Sequence, residues 1–136
     1  MTLDAGALLN DRYRLQTELG RGGMAIVYRG RDELLQRDIA VKVVRKPQLT
    51  AQDRERLLHE ARLAARLNHP NIVAVYDWGQ QHGTYFIVME YVEGRPLSDI
   101  IRSEGPLHPN RAAEVTTDVA AALAFAHRNG VAHRDV

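Results

Sequence analysis

The sequence contains no cysteine. Disulfide staples, thiolate metal ligands and cysteine nucleophiles are therefore excluded, and the composition suits a reducing cytoplasm. No apolar run approaches the roughly 20 residues that a bilayer-spanning helix needs. Met1 to Asn10 lacks the basic region and long apolar stretch of a secretory signal. Charge of either sign is in little excess, with a formal net of +1, so nothing electrostatic argues for nucleic acid or an anionic membrane. The six histidines are scattered and form no pair with metal-ligand spacing, which reads as surface, capping or hydrogen-bonding use. No repeat or low-complexity tract is visible. What remains is a chain of 136 residues, 45% hydrophobic and 26% charged, with the size and make-up of one soluble domain or one lobe of a larger one.

Periodicity organises the chain. Tyr13 to Leu19 alternates as a strand, glycines follow at 20, 22 and 23, and a second alternating run covers Ile26 to Arg29. Strand, glycine turn, strand is a hairpin. Gly30 to Asp38 reads as a polar turn and Ile39 to Val44 as a third strand. Thr50, spaced from Asp53 as in a capping box, opens a helix whose apolar stripe is Leu57, Ala61, Ala64 and Leu67. His69-Pro70-Asn71 ends it. Strands are expected over Ile72 to Asp77 and Thr84 to Glu90, then a linker over Val92 to Arg95, a short helix over Leu97 to Arg102, and a longer one opened by Pro109 and closed by Asn129-Gly130. Strands followed by helices argue an α+β fold.

Three places could carry chemistry. The glycine segment Leu19-Gly20-Arg21-Gly22-Gly23-Met24-Ala25-Ile26-Val27 is either a plain hairpin turn or a phosphate loop. It lacks the closing Gly-Lys-Ser/Thr of a Walker loop and does not open a helix as a dinucleotide fingerprint must. A glycine loop between antiparallel strands that covers phosphates with backbone N–H groups fits its context. Lys42 shares a strand face with Ala40 and Val44 by period two. It is either an edge-strand lysine that discourages aggregation or a phosphate-binding cation. Glu60 falls three residues after Leu57 and four before Ala64, which puts a carboxylate on the expected inward stripe, costly there unless paired. Lys42 is the natural partner; a weak surface pair with Arg56 is the alternative.

Together with His-Glu-Ala-Arg (59–62), His-Pro-Asn-Ile-Val (69–73), Met-Glu-Tyr-Val (89–92) and His-Arg-Asp (133–135), these segments resemble the protein kinase signature set. The wording of Gly-Gly-Met, Leu-Asn-His-Pro-Asn-Ile-Val and Met-Glu-Tyr-Val-Glu-Gly is similar to bacterial serine/threonine kinases. The resemblance runs from Tyr13 to the last residue. It implies an N-lobe at 13–90 with a five-stranded antiparallel sheet and one helix, a hinge at 91–95, and the first helices of a C-lobe at 96–136, after an N-terminal tail at 1–12. It implies ATP as the nucleotide, bound by the loop residues 19 to 27. Leu19, Val27 and Ala40 would cover the adenine, and Gly20, Gly22 and Gly23 would cradle the phosphates within a loop that includes Arg21, Met24, Ala25 and Ile26. Lys42 would hold the α- and β-phosphates and Glu60 would orient Lys42. Met89 would stand behind the adenine, the backbone of Glu90 and Val92 would bond its edge, and Glu93 would reach the ribose. Asp135 would orient the acceptor hydroxyl and take its proton.

Two departures matter. Ala25 replaces the third loop glycine of the family, which adds bulk against a nucleotide. The 136 residues also stop one position after Asp135, before the catalytic-loop Asn and the Asp-Phe-Gly that hold Mg2+. The expected function is thus the ATP-binding portion of a protein serine/threonine kinase, with Mg2+ and the protein substrate engaged by the complete domain. The alternative is a non-catalytic nucleotide- or partner-binding module that pairs with a complete kinase. Val115, Val119, Ala122, Leu123 and Ala126 form an apolar stripe on the last helix, a face for self-association or pairing. A polypeptide of these 136 residues is expected to transfer no phosphate to itself or to a generic substrate, and incorporation of label from ATP is the check.

Overall fold

The computed structural model describes residues 4–23, 25–44, 49–133 and 136. Nine elements follow in order: β1 (Leu8–Leu9), β2 (Tyr13–Arg21), β3 (Ala25–Asp32), β4 (Arg37–Val44), α1 (Ala51–Ala65), β5 (Val75–Gln81), β6 (Thr84–Glu90), α2 (Leu97–Glu104) and α3 (Pro109–Arg128). The strands form one antiparallel sheet in the order β1-β2-β3-β4-β6-β5. The fold is α+β, as expected, but the sheet has six strands, not five. The additional strand comes from the segment expected to be a tail. Asn10 and Asp11 both take positive φ and the Arg12 N–H donates to the Leu9 carbonyl at 3.0 Å, a primed turn that Asn and Asp tolerate. It folds Leu8 and Leu9 back against Arg14 and Tyr13.

Two glycines lie inside strands, Gly30 of β3 in the stretch expected to be a turn and Gly79 of β5 beyond the expected end of its strand. Gly30 pairs with Leu15, and a Cβ there would stand 2.6 Å from the Arg14 carbonyl oxygen. Gly79 lies under the Phe86 ring, with the Asn10 amide nitrogen 2.9 Å from where a Cβ would be. Both positions use glycine for close approach. Strand β3 therefore runs on to Asp32, and β5 occupies 75–81, later than the expected 72–77.

Alternation gives the sheet two faces. Ile26 and Tyr28 of β3, Ile39, Val41 and Val43 of β4, and Phe86 and Val88 of β6 point to one side. There they meet Leu9, Tyr13 and Leu15 in the core. Tyr13 and Phe86 meet edge to face with ring centroids 6.2 Å apart. Each fully buried side chain of this kind contributes about 1.5–3 kcal/mol.

The sheet curls until its edges approach. The Gln81 side chain, at the end of β5, accepts from the Asn10 N–H at 2.6 Å and donates to the Leu8 carbonyl at 3.1 Å. Nearby the Tyr13 hydroxyl donates to Asp77, and burial together with that carboxylate raises the Tyr13 pKa.

The helices follow their caps. Thr50 and Asp53 form the expected box, with both bonds at 3.1 Å. Helix α1 ends at Ala65, and Leu67 beyond it is buried. Pro109 begins α3, and Gly130 at φ +79 follows its cap, Asn129. Helix α3 rests on the 69–71 turn: the Asn71 side-chain amide donates to the Asp118 carbonyl at 3.1 Å, and the His69 and Phe125 rings lie 5.1 Å apart. Its apolar stripe is divided, with Ala126 buried and Val119 exposed. No helix among the described residues is long and apolar enough to cross a membrane.

One charged group sits wholly inside. Asp32 is fully buried and takes both prongs of the Arg12 guanidinium at 2.9 Å, as well as the Leu34 and Leu35 N–H groups at 3.1 Å. The Arg12 bond, against the opposing effect of burial, and the two amides hold its carboxyl at about 2. Its folded pKa lies below its unfolded value of roughly 3.9, so this stabilisation is complete above about pH 4 and is lost as pH falls toward 2. Asp32→Asn turns an amide donor toward the Arg12 or Leu amides. It is expected to cost about 1–3 kcal/mol at neutral pH and to flatten the acid limb of stability below pH 4. Urea titrations at several pH values check both.

Candidate functional site

The opposite face of the sheet is covered at one end, where Val44 and Tyr85 are buried and Arg54 of α1 donates to the Tyr85 hydroxyl at 3.5 Å, and is more open elsewhere. On it lie Val27 and Arg29 of β3, Ala40 and Lys42 of β4, and Ile87 and Met89 of β6. The register aligns Val27 with Lys42 and Ile87, and Arg29 with Ala40 and Met89. A small apolar floor of Val27, Ala40, Ile87 and Met89 thus surrounds one cation. Ala40 is buried, Val27, Ile87 and Met89 are half-buried, and Lys42 is exposed. Period two predicts the Ala40–Lys42 pairing of faces. Ile87 was not singled out in the sequence, although the alternation of Tyr85, Ile87 and Met89 on β6 places it there.

The β2–β3 hairpin overhangs one end of this floor. Its turn is closed by the Gly22 N–H donating to the Ala25 carbonyl at 2.9 Å, and Gly20 pairs with Val27. None of Gly20, Gly22 and Gly23 takes a left-handed φ, and a Cβ on Gly20 or Gly23 would meet nothing within 4 Å, while on Gly22 it would meet only the Ala25 oxygen at 4.0 Å. Among the described residues the fold gives no reason for glycine at these three positions. Leu19 is half exposed at the rim. Arg21 is forked onto Glu18 at 2.8 and 2.9 Å. Ile26 turns its side chain into the core, so only its backbone belongs to the turn. Met24 lies outside the described residues, as do Arg134 and Asp135.

At the other end, β6 leaves the sheet into the linker 91–96. The Glu90 N–H donates to the Ala74 carbonyl at 2.8 Å, and the Glu90 carboxylate accepts from the Ala74 N–H at 3.1 Å. Only the carbonyl side of Glu90 can therefore serve a ligand. Val92 and Glu93 are exposed, and the Val92 N–H donates to no group among the described residues.

Glu60 stands apart from this arrangement. Helix α1 faces β5 across an apolar cavity of about 140 Å³ lined by Leu58, Ala61, Arg62, Ala65 and 75–78. At about 100° per residue, Glu60 lies roughly 150° around the helix from the side that lines it and is exposed. Of the expected stripe, Ala61 and Leu67 are buried and Leu57 and Ala64 half-buried, with Leu58 beside it half-buried too, and Glu60 at its edge is exposed. Glu60 therefore carries no burial cost. Among the described residues it forms no ion pair, with Lys42 or with Arg56.

A sequence profile of the protein kinase domain matches residues 13–136. The chain belongs to the protein kinase family. It is 50% identical over 135 residues to the serine/threonine-protein kinase PknB of Mycobacterium tuberculosis, covering 94% of this chain and 21% of PknB. It is 42% identical over 134 residues to the serine/threonine-protein kinase PrkC of Bacillus subtilis, covering 96% of this chain and 20% of PrkC. The chain thus spans about a fifth of the length of these relatives. The crystal structure of the Mycobacterium tuberculosis PknI kinase domain superposes with a TM-score of 0.83 at 32% identity, over 99% of this chain and 55% of that one. The fold is that of a kinase N-lobe followed by the first helices of the second lobe.

Because Glu60 is exposed and unpaired here, Glu60→Ala is expected to change unfolding free energy by no more than about 0.5 kcal/mol. Chemical denaturation checks it, and a larger loss would mean that the side chain is held by the fold.

Proposed function

We propose that this chain is the ATP-binding portion of a protein serine/threonine kinase, whose complete domain moves the terminal phosphoryl group of ATP to a serine or threonine hydroxyl of a protein. The observation that carries the reading is the glycine turn. Glycine at 20, 22 and 23 answers no need for positive φ and relieves no contact with the described residues. Side chains are kept away from space that the chain leaves empty, beside an apolar floor and a lysine. A polyanion that must approach backbone N–H groups explains that pattern.

In this reading the adenine lies between Leu19 and Val27 above and Ala40 beside it, with Met89 behind. Its polar edge faces the Glu90 carbonyl and the Val92 N–H, and Glu93 is near the ribose. Lys42 meets the α- and β-phosphates under the hairpin formed by residues 19 to 27. Glu60 would orient Lys42 only after α1 turns or shifts toward β4, because the two groups form no pair as the helix is seated here. Asp135 would accept the hydroxyl proton. Mg2+ would bridge the phosphates in the complete domain. The described residues offer no cluster of acidic or imidazole groups for it, so no role in metal binding is assigned to them. ATP as donor goes with a cytoplasmic setting.

The test separates folding from binding. Gly22→Ala and Gly23→Ala are expected to leave thermal stability unchanged or to raise it by about 0.4–1 kcal/mol, because alanine restricts the unfolded chain and meets nothing in the folded one. Both should weaken ATP binding in a calorimetric titration, and so should Lys42→Met. Lowered stability in the glycine variants with unchanged ATP binding would show that the glycines serve the fold, and the reading would fail.

A further inference from the structure

Arg29 makes a contact that no part of the nucleotide reading uses. Period two places it on the open face, two residues beyond Val27, in register with Ala40 and through it with Met89. Two residues past Met89 comes Tyr91, the first residue of the linker that leads from β6 to α2. The Arg29 guanidinium lies over the Tyr91 ring, 4.5 Å from its centroid. Its far side is held by Asp38, with Nη2 to Oδ2 at 3.4 Å. Asp38 is itself fixed by Arg31 at 3.2 Å, and Arg31 donates again to the Gln36 carbonyl at 2.7 Å. The Arg29 Nε is buried with no hydrogen-bond partner among the described residues.

A guanidinium that forgoes a hydrogen bond at Nε and settles on a ring is held there by the ring and by the carboxylate behind it. Asp38, Arg29 and Tyr91 make a chain from β4 through β3 to the linker. It spans the sheet beside the position assigned to the adenine edge. The far end of the linker is tied to α2 by Arg95, which donates to Ser103 at 3.2 Å and Glu104 at 3.5 Å; nearer β6 the Val92 N–H has no partner among the described residues, and 92–95 are exposed.

We infer that Arg29 is a positioning residue. By clamping the Tyr91 ring it holds the start of the linker against β3, and so presents the Glu90 carbonyl and the Val92 N–H at a fixed distance from the apolar floor. The inference rests on the nucleotide reading for what is presented, but the clamp itself exists without nucleotide and can be tested apart from it.

The experiment uses the 136-residue chain and four variants. Arg29→Met removes the cation and keeps the stem; Arg29→Lys keeps a cation. Tyr91→Leu removes the ring; Tyr91→Phe keeps it. Amide hydrogen exchange by NMR without ligand reads the start of the linker at Glu90, whose N–H donates to the Ala74 carbonyl at 2.8 Å, with Val41 and Val43 of β4 as the internal standard for the fold. Arg29→Met and Tyr91→Leu are expected to speed linker exchange about threefold, the scale of one partly exposed cation–π contact, with β4 unchanged. Arg29→Lys and Tyr91→Phe should stay near the parent, and the double variant Arg29→Met with Tyr91→Leu should be no faster than either single one. Unchanged linker exchange in Arg29→Met, or an equal rise in β4, overturns the clamp. The same variants are titrated with adenosine and with ATP. A similar loss for both ligands supports presentation of the adenine edge. A loss for ATP alone overturns it, because the effect would then act on the phosphates. If the clamp behaves as expected but the parent binds neither ligand, the nucleotide reading fails and the clamp stands.

Discussion

The side-chain amide of Gln81 bonds the backbone of β1 on both sides, donating to Leu8 and accepting from Asn10, and so joins the two edges of a sheet that has no ladder between them. Most of what the rest of the molecule does follows from that closure. Leu9, Tyr13 and Phe86 become core because the curl brings β1 and β5 over them. Gly79 has to be glycine because β5 then crosses the Phe86 ring. A side-chain amide can replace a pair of backbone partners because it carries one donor and one acceptor in a single plane. An open edge at β1 would instead present unpaired backbone groups.

Closure also separates the two faces. One is enclosed and filled by Ile26, Tyr28, Ile39, Val41, Val43 and Val88. The other is left to Val27, Ala40, Lys42, Ile87 and Met89. Strand β4 lies between β3 and β6 and supplies both faces from alternate residues. That is why a lysine in a central strand can remain exposed: its neighbours Val41 and Val43 take up the apolar burial, and Lys42 projects from the opposite, less covered face. The same rigid strand sets the spacing between the hairpin at one end of the floor and the linker at the other.

The helices are attached more lightly. Helix α1 meets the sheet at β5 through small residues and leaves an apolar cavity beside it. Helix α3 touches the rest through His69, Asn71 and a short apolar contact. Elements held by few contacts shift at low cost compared with the closed sheet. In the family reading, the shift that matters is movement of Glu60 toward Lys42. It would require α1 to turn or shift toward β4, since Glu60 is exposed as the helix lies here.

Much of this was legible beforehand. The alternation of 39–44, the Thr50–Asp53 cap, Pro109 at the start of the last helix and Gly130 after its cap are local features, and each appears where local rules put it. The kinase motifs named the family because several short segments occur in one order, and order is a property of sequence. The sequence determined the family, the elements and the residue types available at the site. Only the tertiary structure decided that Glu60 stays exposed and apart from Lys42, that Gly30 and Gly79 mark close approach and not turns, that residues 8–9 add a strand, and that Arg29 reaches Tyr91. The reason is physical: those outcomes depend on which residues far apart in the chain are brought within a few ångströms, and a curled sheet brings together its first and last strands, about 70 residues apart, as at Asn10 and Gln81, with no trace in the periodicity of either.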